Sequence, residues 1–202
     1  VDVPYMAATY SVASGTLLRC DAPFEGPALF HPFFRRSEVW HGISINVPGR
    51  GKTSALSLQT GVPRPEGSAT YKLTTTERDM FECIPMQPGF SGQGFRMTTA
   101  SGLRYYFDVG ASRTDAMLEK WVSYVNNPLP ALLHLERNKL YLLASRIEDR
   151  FGNTVQFQYN ANGHPTRISA NDGREITLSY TNGRQATATS HGQTWQYQYA
   201  SS

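Results

Sequence analysis

Apolar and polar side chains alternate along much of this chain with a period of two. Ile43, Ile45 and Val47 share one face of a short segment, Leu56 and Leu58 share a face of the next, and Tyr71 and Leu73 continue the pattern. Successive strand side chains point to opposite faces, so this period predicts half-buried strands. Strands are also expected over 16–20, within 38–47, over 94–99 and 103–109 around an Ala100-Ser101-Gly102 turn, and over 140–149. Segments 21–32 and 61–67, rich in proline and glycine, read as loops. The period changes once. Met117 with Trp121, and Leu118 with Val122, are spaced i to i+4. That spacing predicts a helix near 114–126, capped by Thr114 and ended by Pro128 and Pro130. The expected fold class is mostly β, antiparallel, with that one helix. It divides the chain into a β-rich region 1–113, a helix and proline-rich connector 114–139, and β-repeats 140–202.

A regular unit begins at Gly152. Gly152 to Tyr159, Gly173 to Tyr180 and Gly192 to Tyr199 each place tyrosine seven residues after glycine. Apolar or aromatic side chains fall three, five and seven places after each glycine: Val155, Phe157, Tyr159, then Ile176, Leu178, Tyr180, then Trp195, Tyr197, Tyr199. Gln156 and Gln158 take the opposite face. Asn162-Gly163 and Asn182-Gly183 mark intervening turns, with shorter strands from Thr166 and Gln185. Turns thus recur every nine to eleven residues, giving a strand-turn-strand unit of about 20 residues. This register predicts Tyr159, Tyr180 and Tyr199 on equivalent strand ends of one elongating sheet, with Phe157, Leu178 and Tyr197 on its more buried face.

These residues carry a family resemblance. Asp149-Arg150-Phe151-Gly152-Asn153, the stretch Tyr159 to Gly163, and Asn171-Asp172-Gly173-Arg174 with Tyr180 resemble the Rhs or YD-repeat pattern, in which a glycine-led strand ends in tyrosine. The specific match covers about residues 140–199, and Gly94 to Asp108 is similar to the hairpins that precede such repeats. Asn160, Thr181 and Ala200 stand where the family's namesake aspartate follows tyrosine, so the copies are divergent. The resemblance implies a segment of a bacterial Rhs protein, whose repeats wind into a curved β-shell enclosing a C-terminal toxin for delivery to other cells. It implies a secreted or cell-surface location, with the remainder of the same polypeptide as partner and secretion-system or cell-surface components as further ones. The residues it singles out are structural: Gly152, Tyr159, Gly163, Gly173, Tyr180, Gly183, Gly192 and Tyr199.

Composition narrows the choice. Only 17% of the 202 residues are charged, against about 25% in an ordinary soluble domain, while 12% are aromatic, which argues against disorder. A formal net charge of +3 is too small to imply a nucleic-acid partner, and no apolar run reaches the length of a membrane span. Val1 is not an initiator methionine and no leader is legible, so the chain reads as processed or excised from a longer one. Cys20 and Cys83 read as two buried thiols, with a single disulfide as the alternative in a secreted protein.

The chemical motifs fail on inspection. Gly49-Arg50-Gly51-Lys52-Thr53 lacks the earlier glycine of a phosphate-binding loop, and Ser54-Ala55-Leu56-Ser57-Leu58 after it alternates like a strand. Gly89 to Gly94 lacks the second glycine of a nucleophile elbow. His31, His41, His134, His164 and His191 show no metal-ligand spacing. No catalytic, cofactor-binding or metal-ligating residue is assigned, and the expectation is of a non-enzyme without cofactor. The aromatic ladder supports two readings, cross-strand packing and a cell-surface module that stacks sugars on exposed rings.

Overall fold

The computed structural model describes residues 2–12, 20, 29, 31–58, 73–124 and 127–200, with the backbone alone at 124, 127 and 128. The expectations for 16–19, 21–28, 61–67 and Tyr71 lie outside the described residues. The strands are β1 (Tyr5–Ser11), β2 (Ser44–Val47), β3 (Gly51–Ser54), β4 (Leu56–Ser57), β5 (Leu73–Thr74), β6 (Met80–Pro85) and β7 (Gln93–Thr98). They continue with β8 (Arg104–Tyr124), β9 (Asn127–Glu148), β10 (Thr154–Tyr159), β11 (Pro165–Ala170), β12 (Glu175–Thr181), β13 (Arg184–Ser190) and β14 (Gln193–Gln196). A one-turn helix, α1 (Arg36–Val39), lies before β2. The strands form one mostly β, antiparallel sheet.

The first nine strands close a ring of ladders. β5 through β9 pair in sequence, β9 pairs with β1, and β1 pairs with β2, which pairs with β3. β3 and β4 are two arms of one bent strand. Ala55 between them donates its N–H to the Ile43 carbonyl at 2.9 Å, and β4 then pairs with β5. Seven of these strands send side chains inward: Met6 and Ala8, Ile45 and Val47, Leu73, Phe81, Phe95 and Met97, Tyr105 and Phe107, Leu142 and Ala144, while β3 and β4 bury none. Phe81, Phe95 and Phe107 are fully buried. The alternation of Ile43, Ile45 and Val47 seen in the sequence is this core-facing row. Pro48-Gly49-Arg50 makes the β2–β3 turn, and Gly51, Lys52 and Thr53 belong to strand β3.

The helix expected near 114–126 is not formed; β8 runs through 114–124 as strand. A helix of that length is marginal in isolation, and its fate rests on tertiary partners. Here the partner is β9, which pairs Leu118 with Leu135, Lys120 with Leu133 and Val122 with Ala131. One face of this ribbon packs Leu118, Leu133 and Leu135 against Phe34 and Val39 beside α1, and Lys120 bridges to Glu38 at 2.6 Å. A helix would have left the 127–136 arm of β9 without its ladder. The supposed i, i+4 pair of Met117 and Trp121 is exposed, at 49% and 67%.

The cysteines also depart from expectation. Cys20 and Cys83 form a disulfide rather than two free thiols. Two buried thiols and one disulfide look alike in sequence, because only the fold brings positions 63 apart to a Cα separation of 5.3 Å. Cys20 is also held by its N–H, which donates to Gln93 Oε1 at 2.9 Å.

Loop closure on this scale makes a disulfide worth a substantial share of stability. Replacing both cysteines, Cys20→Ala with Cys83→Ala, is expected to lower the unfolding free energy by about 2–4 kcal/mol in denaturant melts. A loss under about 0.5 kcal/mol would show that the bond closes no loop that matters.

Candidate functional site

The residues singled out in the repeats fall at the two ends of the β10–β14 strands, Gly152, Gly173 and Gly192 at one end and Gly163 and Gly183, with the tyrosines, at the other. Gly152, Gly163, Gly173, Gly183 and Gly192 lie in the five turns that join β9 through β14, all with positive φ. Side-chain oxygens close these turns. Asp149 Oδ1 accepts from the N–H groups of Phe151 and Asn153 at 2.8 and 2.9 Å, and Asn160 Oδ1 accepts from Asn162 and His164, both at 3.0 Å. The Asn153 side-chain amide, followed by backbone N–H groups, holds the Asp149 carboxyl below the usual carboxylate range. Asn171 ties one copy to the previous one, accepting from Thr154 N–H at 3.1 Å and donating to Gly152 O at 3.2 Å.

Each tyrosine docks on what precedes it. Tyr159 ends β10 and donates its hydroxyl to the Ala144 carbonyl at 2.6 Å. Tyr180, near the end of β12, stacks on His164 beside the β10–β11 turn at 4.8 Å, and Tyr199, beyond β14, lies under Arg184 at 5.4 Å. Ladder irregularities precede Tyr159 and Tyr180 at the same place, between Gln158 and Tyr159 and between Ser179 and Tyr180. On the face expected to be more buried, Leu178 is buried and Phe157 half-buried. Tyr197 is 47% exposed because β14 has no further strand beside it among the described residues.

The repeats leave the ring at a fork. β8 occupies one edge of β9, and the other edge is shared: β10 pairs with Arg146, Ile147 and Glu148, and β1 with residues 137–143. Ala144 sits at the division, its N–H donating to Pro4 O at 3.0 Å and its carbonyl taken by Tyr159. The β8–β9 ladder bulges here. Tyr106 pairs with Arg146, Phe107 with Ala144 and Val109 with Leu143, which leaves Ser145 and Asp108 without opposite residues. Bulges re-aim side chains and recur beside functional sites. Asp108 is 5% exposed; its Oδ2 accepts from Gln87 Nε2 at 2.9 Å, and its Oδ1 has no hydrogen-bond partner among the described residues.

A cleft of about 570 Å³ opens at this fork. It is lined by Gln87, Phe90, Tyr106, Asp108 and Arg146 and by β10 from Gln156 to Tyr159, with Gln156 and Gln158 on the strand face that Arg146 and Tyr106 share and Phe157 on the other. The Arg146 guanidinium lies 4.0 Å above the Tyr106 ring and 3.5 Å from Glu148. Burial, with the Asp108 charge as a lesser cause, pushes the Tyr159 phenol far above its ordinary value. The sequence reading missed Asp108, Gln87 and Arg146 as a group. The available signal was an aspartate inside a strand-like run, a residue type that strands disfavour. Among the described residues no three His, Cys, Asp or Glu side chains converge as a metal site.

Two outcomes test this geometry. A Cβ on Gly163 would lie 2.6 Å from Ala111 Cβ, at φ +73°, whereas Gly173, at φ +89°, has nothing within 4 Å. Both substitutions strain the backbone by about 1–2 kcal/mol, so Gly163→Ala should cost at least about 1 kcal/mol more than Gly173→Ala in denaturant melts. Equal costs would mean that the β10–β11 turn does not rest on β8. Tyr159 supplies the second. Its raised folded-state pKa keeps the proton on while the unfolded chain loses it, so stability falls as pH rises above the ordinary value of 10.0. Tyr159→Phe should cost about 1 kcal/mol at neutral pH through the lost hydrogen bond and should flatten that alkaline decline. Melts between about pH 8 and pH 11 that decline in parallel for both proteins would place the phenol in water.

Compared with known proteins, the chain matches no protein-family model, no curated protein and no solved structure.

Proposed function

We propose that this chain is a structural segment of an Rhs/YD-repeat protein, a piece of the wall of a curved β-shell that encloses a C-terminal toxin for delivery to other cells. The observation that carries the reading is the way β10 through β14 propagate. Tyr159 ends β10 while Tyr180 and Tyr199 stand near the end of β12 and just beyond β14, and Tyr180 rests on His164 beside the β10–β11 turn as Tyr199 rests on Arg184 at the start of β13. A contact that refers only to the preceding copy can be repeated without limit, which is how an array extends a sheet. The five-stranded extension leaves the ring at Ala144 and presents β14 as an edge onto which a further strand of the same polypeptide would add. In this role the chain is a wall and not an enzyme. The Cys20–Cys83 disulfide fits folding in an oxidising compartment and so a secreted or cell-surface location.

A second reading has an observation of its own. Trp195, Tyr197 and Tyr199 are 53%, 47% and 52% exposed, as a cell-surface module that stacks carbohydrate on its aromatics would require.

The coding sequence on either side of this segment separates the two. The shell reading expects dozens of further glycine-to-tyrosine units in frame, followed by a distinct C-terminal domain. Flanking sequence without such units overturns it. Quenching of Trp195 fluorescence by added polysaccharide would favour the carbohydrate module, and a shell segment leaves that emission unchanged.

A further inference from the structure

We propose that the cleft at the fork binds a neutral saccharide, with Gln156, Gln158 and Gln87 holding its hydroxyls and Phe90 packing on its ring. The proposal does not rest on the shell reading, since a wall segment and a free module can both carry the cleft.

Four observations point to this chemistry. The volume, about 570 Å³, falls within the range of about 300–1,000 Å³ typical of small-ligand sites. The side-chain amides of Gln156 and Gln158 are exposed and make no hydrogen bond among the described residues. Asp108 Oδ2 takes one proton of the Gln87 amide, which fixes that group and leaves its oxygen to accept. Amides both donate and accept, as sugar hydroxyls do, so such a set suits a neutral polyol. Phe90, 42% exposed at the rim, offers a flat apolar surface to the C–H face of a pyranose.

Charge favours neither ion class. Asp108 and Arg146 in the same wall are opposite in sign, and Arg146 is further offset by Glu148 at 3.5 Å, so the cleft selects neither an anion nor a cation. Asp108 Oδ1 remains a buried acceptor without a donor among the described residues. Native structures rarely leave such a group unmatched without a functional reason, and a hydroxyl reaching past Gln87 would satisfy it. The bulge at Asp108 is what brings this carboxylate into the wall of the cleft.

The test is calorimetric titration of the intact protein with three neutral probes, cellohexaose, maltohexaose and chitohexaose, alongside polygalacturonate and spermine. At least one neutral probe is expected to bind with Kd of about 1 mM or tighter. The double variant Gln156→Ala with Gln158→Ala, and separately Phe90→Ala, should each weaken it by about tenfold or more. All three side chains are exposed, so thermal melts should stay at the parent value, and Trp195→Ala, at the far edge of the sheet, should leave the affinity unchanged. The proposal is overturned by three silent neutral probes, by tighter binding of polygalacturonate or spermine, or by affinity that survives the glutamine variant. Affinity lost in Trp195→Ala would overturn it too and would move the sugar to the exposed aromatics, an outcome separate from any result on the flanking repeats.

Discussion

A β-strand has two edges, and β9 has three neighbours. Its full length is taken on one side by β8, so β1 and β10 must divide the other. Where they part, the ladder cannot satisfy the backbone, and a buried carbonyl without a donor costs about 1–3 kcal/mol. Tyr159 meets that requirement at Ala144, and Pro4 accepts the N–H of the same residue. The closed ring, the departure of the repeats and the cleft all depend on this division.

The ring itself holds because alternate side chains of its strands converge on one core, and because its polar exceptions are matched. Asp79 is 2% exposed, yet its carboxylate receives Arg50 at 3.1 and 2.9 Å and the Thr75 hydroxyl at 2.9 Å, while Thr75 Oγ1 accepts from the Asp79 N–H at 3.2 Å. This network closes the turn between β5 and β6 and fastens it to the β2–β3 turn that carries Arg50. Asp108 is the contrast. It is buried as deeply in kind but only half satisfied, and it stands beside a cleft rather than inside a turn. Structural carboxylates are saturated with donors, so the unsaturated one is where a ligand is sought.

Beyond the fork the physics changes from closure to repetition. The strands β10 to β14 bury little: Leu178 and Ala188 are core-like, while Ile176 and Trp195 are exposed. Turn hydrogen bonds from Asp149, Asn160 and Asn171, together with the docking of each tyrosine, carry much of the specification there. Such a sheet draws its order from its neighbours, and its outer strand has one neighbour fewer.

The sequence by itself determined what is local. Period-two alternation placed the core row at Ile43, Ile45 and Val47 and the apolar positions of the glycine-to-tyrosine units, and the turn at 100–102 placed the 94–109 hairpin, because a strand's faces and a turn's positive φ are decided within a few residues. Three things required the tertiary structure. Whether 114–124 is helix or strand depended on the pairing offered by 127–138, which outweighed its i, i+4 spacing. Whether Cys20 and Cys83 bond depended on two segments meeting across 63 positions. Asp108, Gln87 and Gln156 became one site only when two bulges and a shared strand edge brought distant segments to the fork. Local preferences act through a residue's own backbone and near neighbours, whereas each of these outcomes turns on a partner that the chain reaches only by folding.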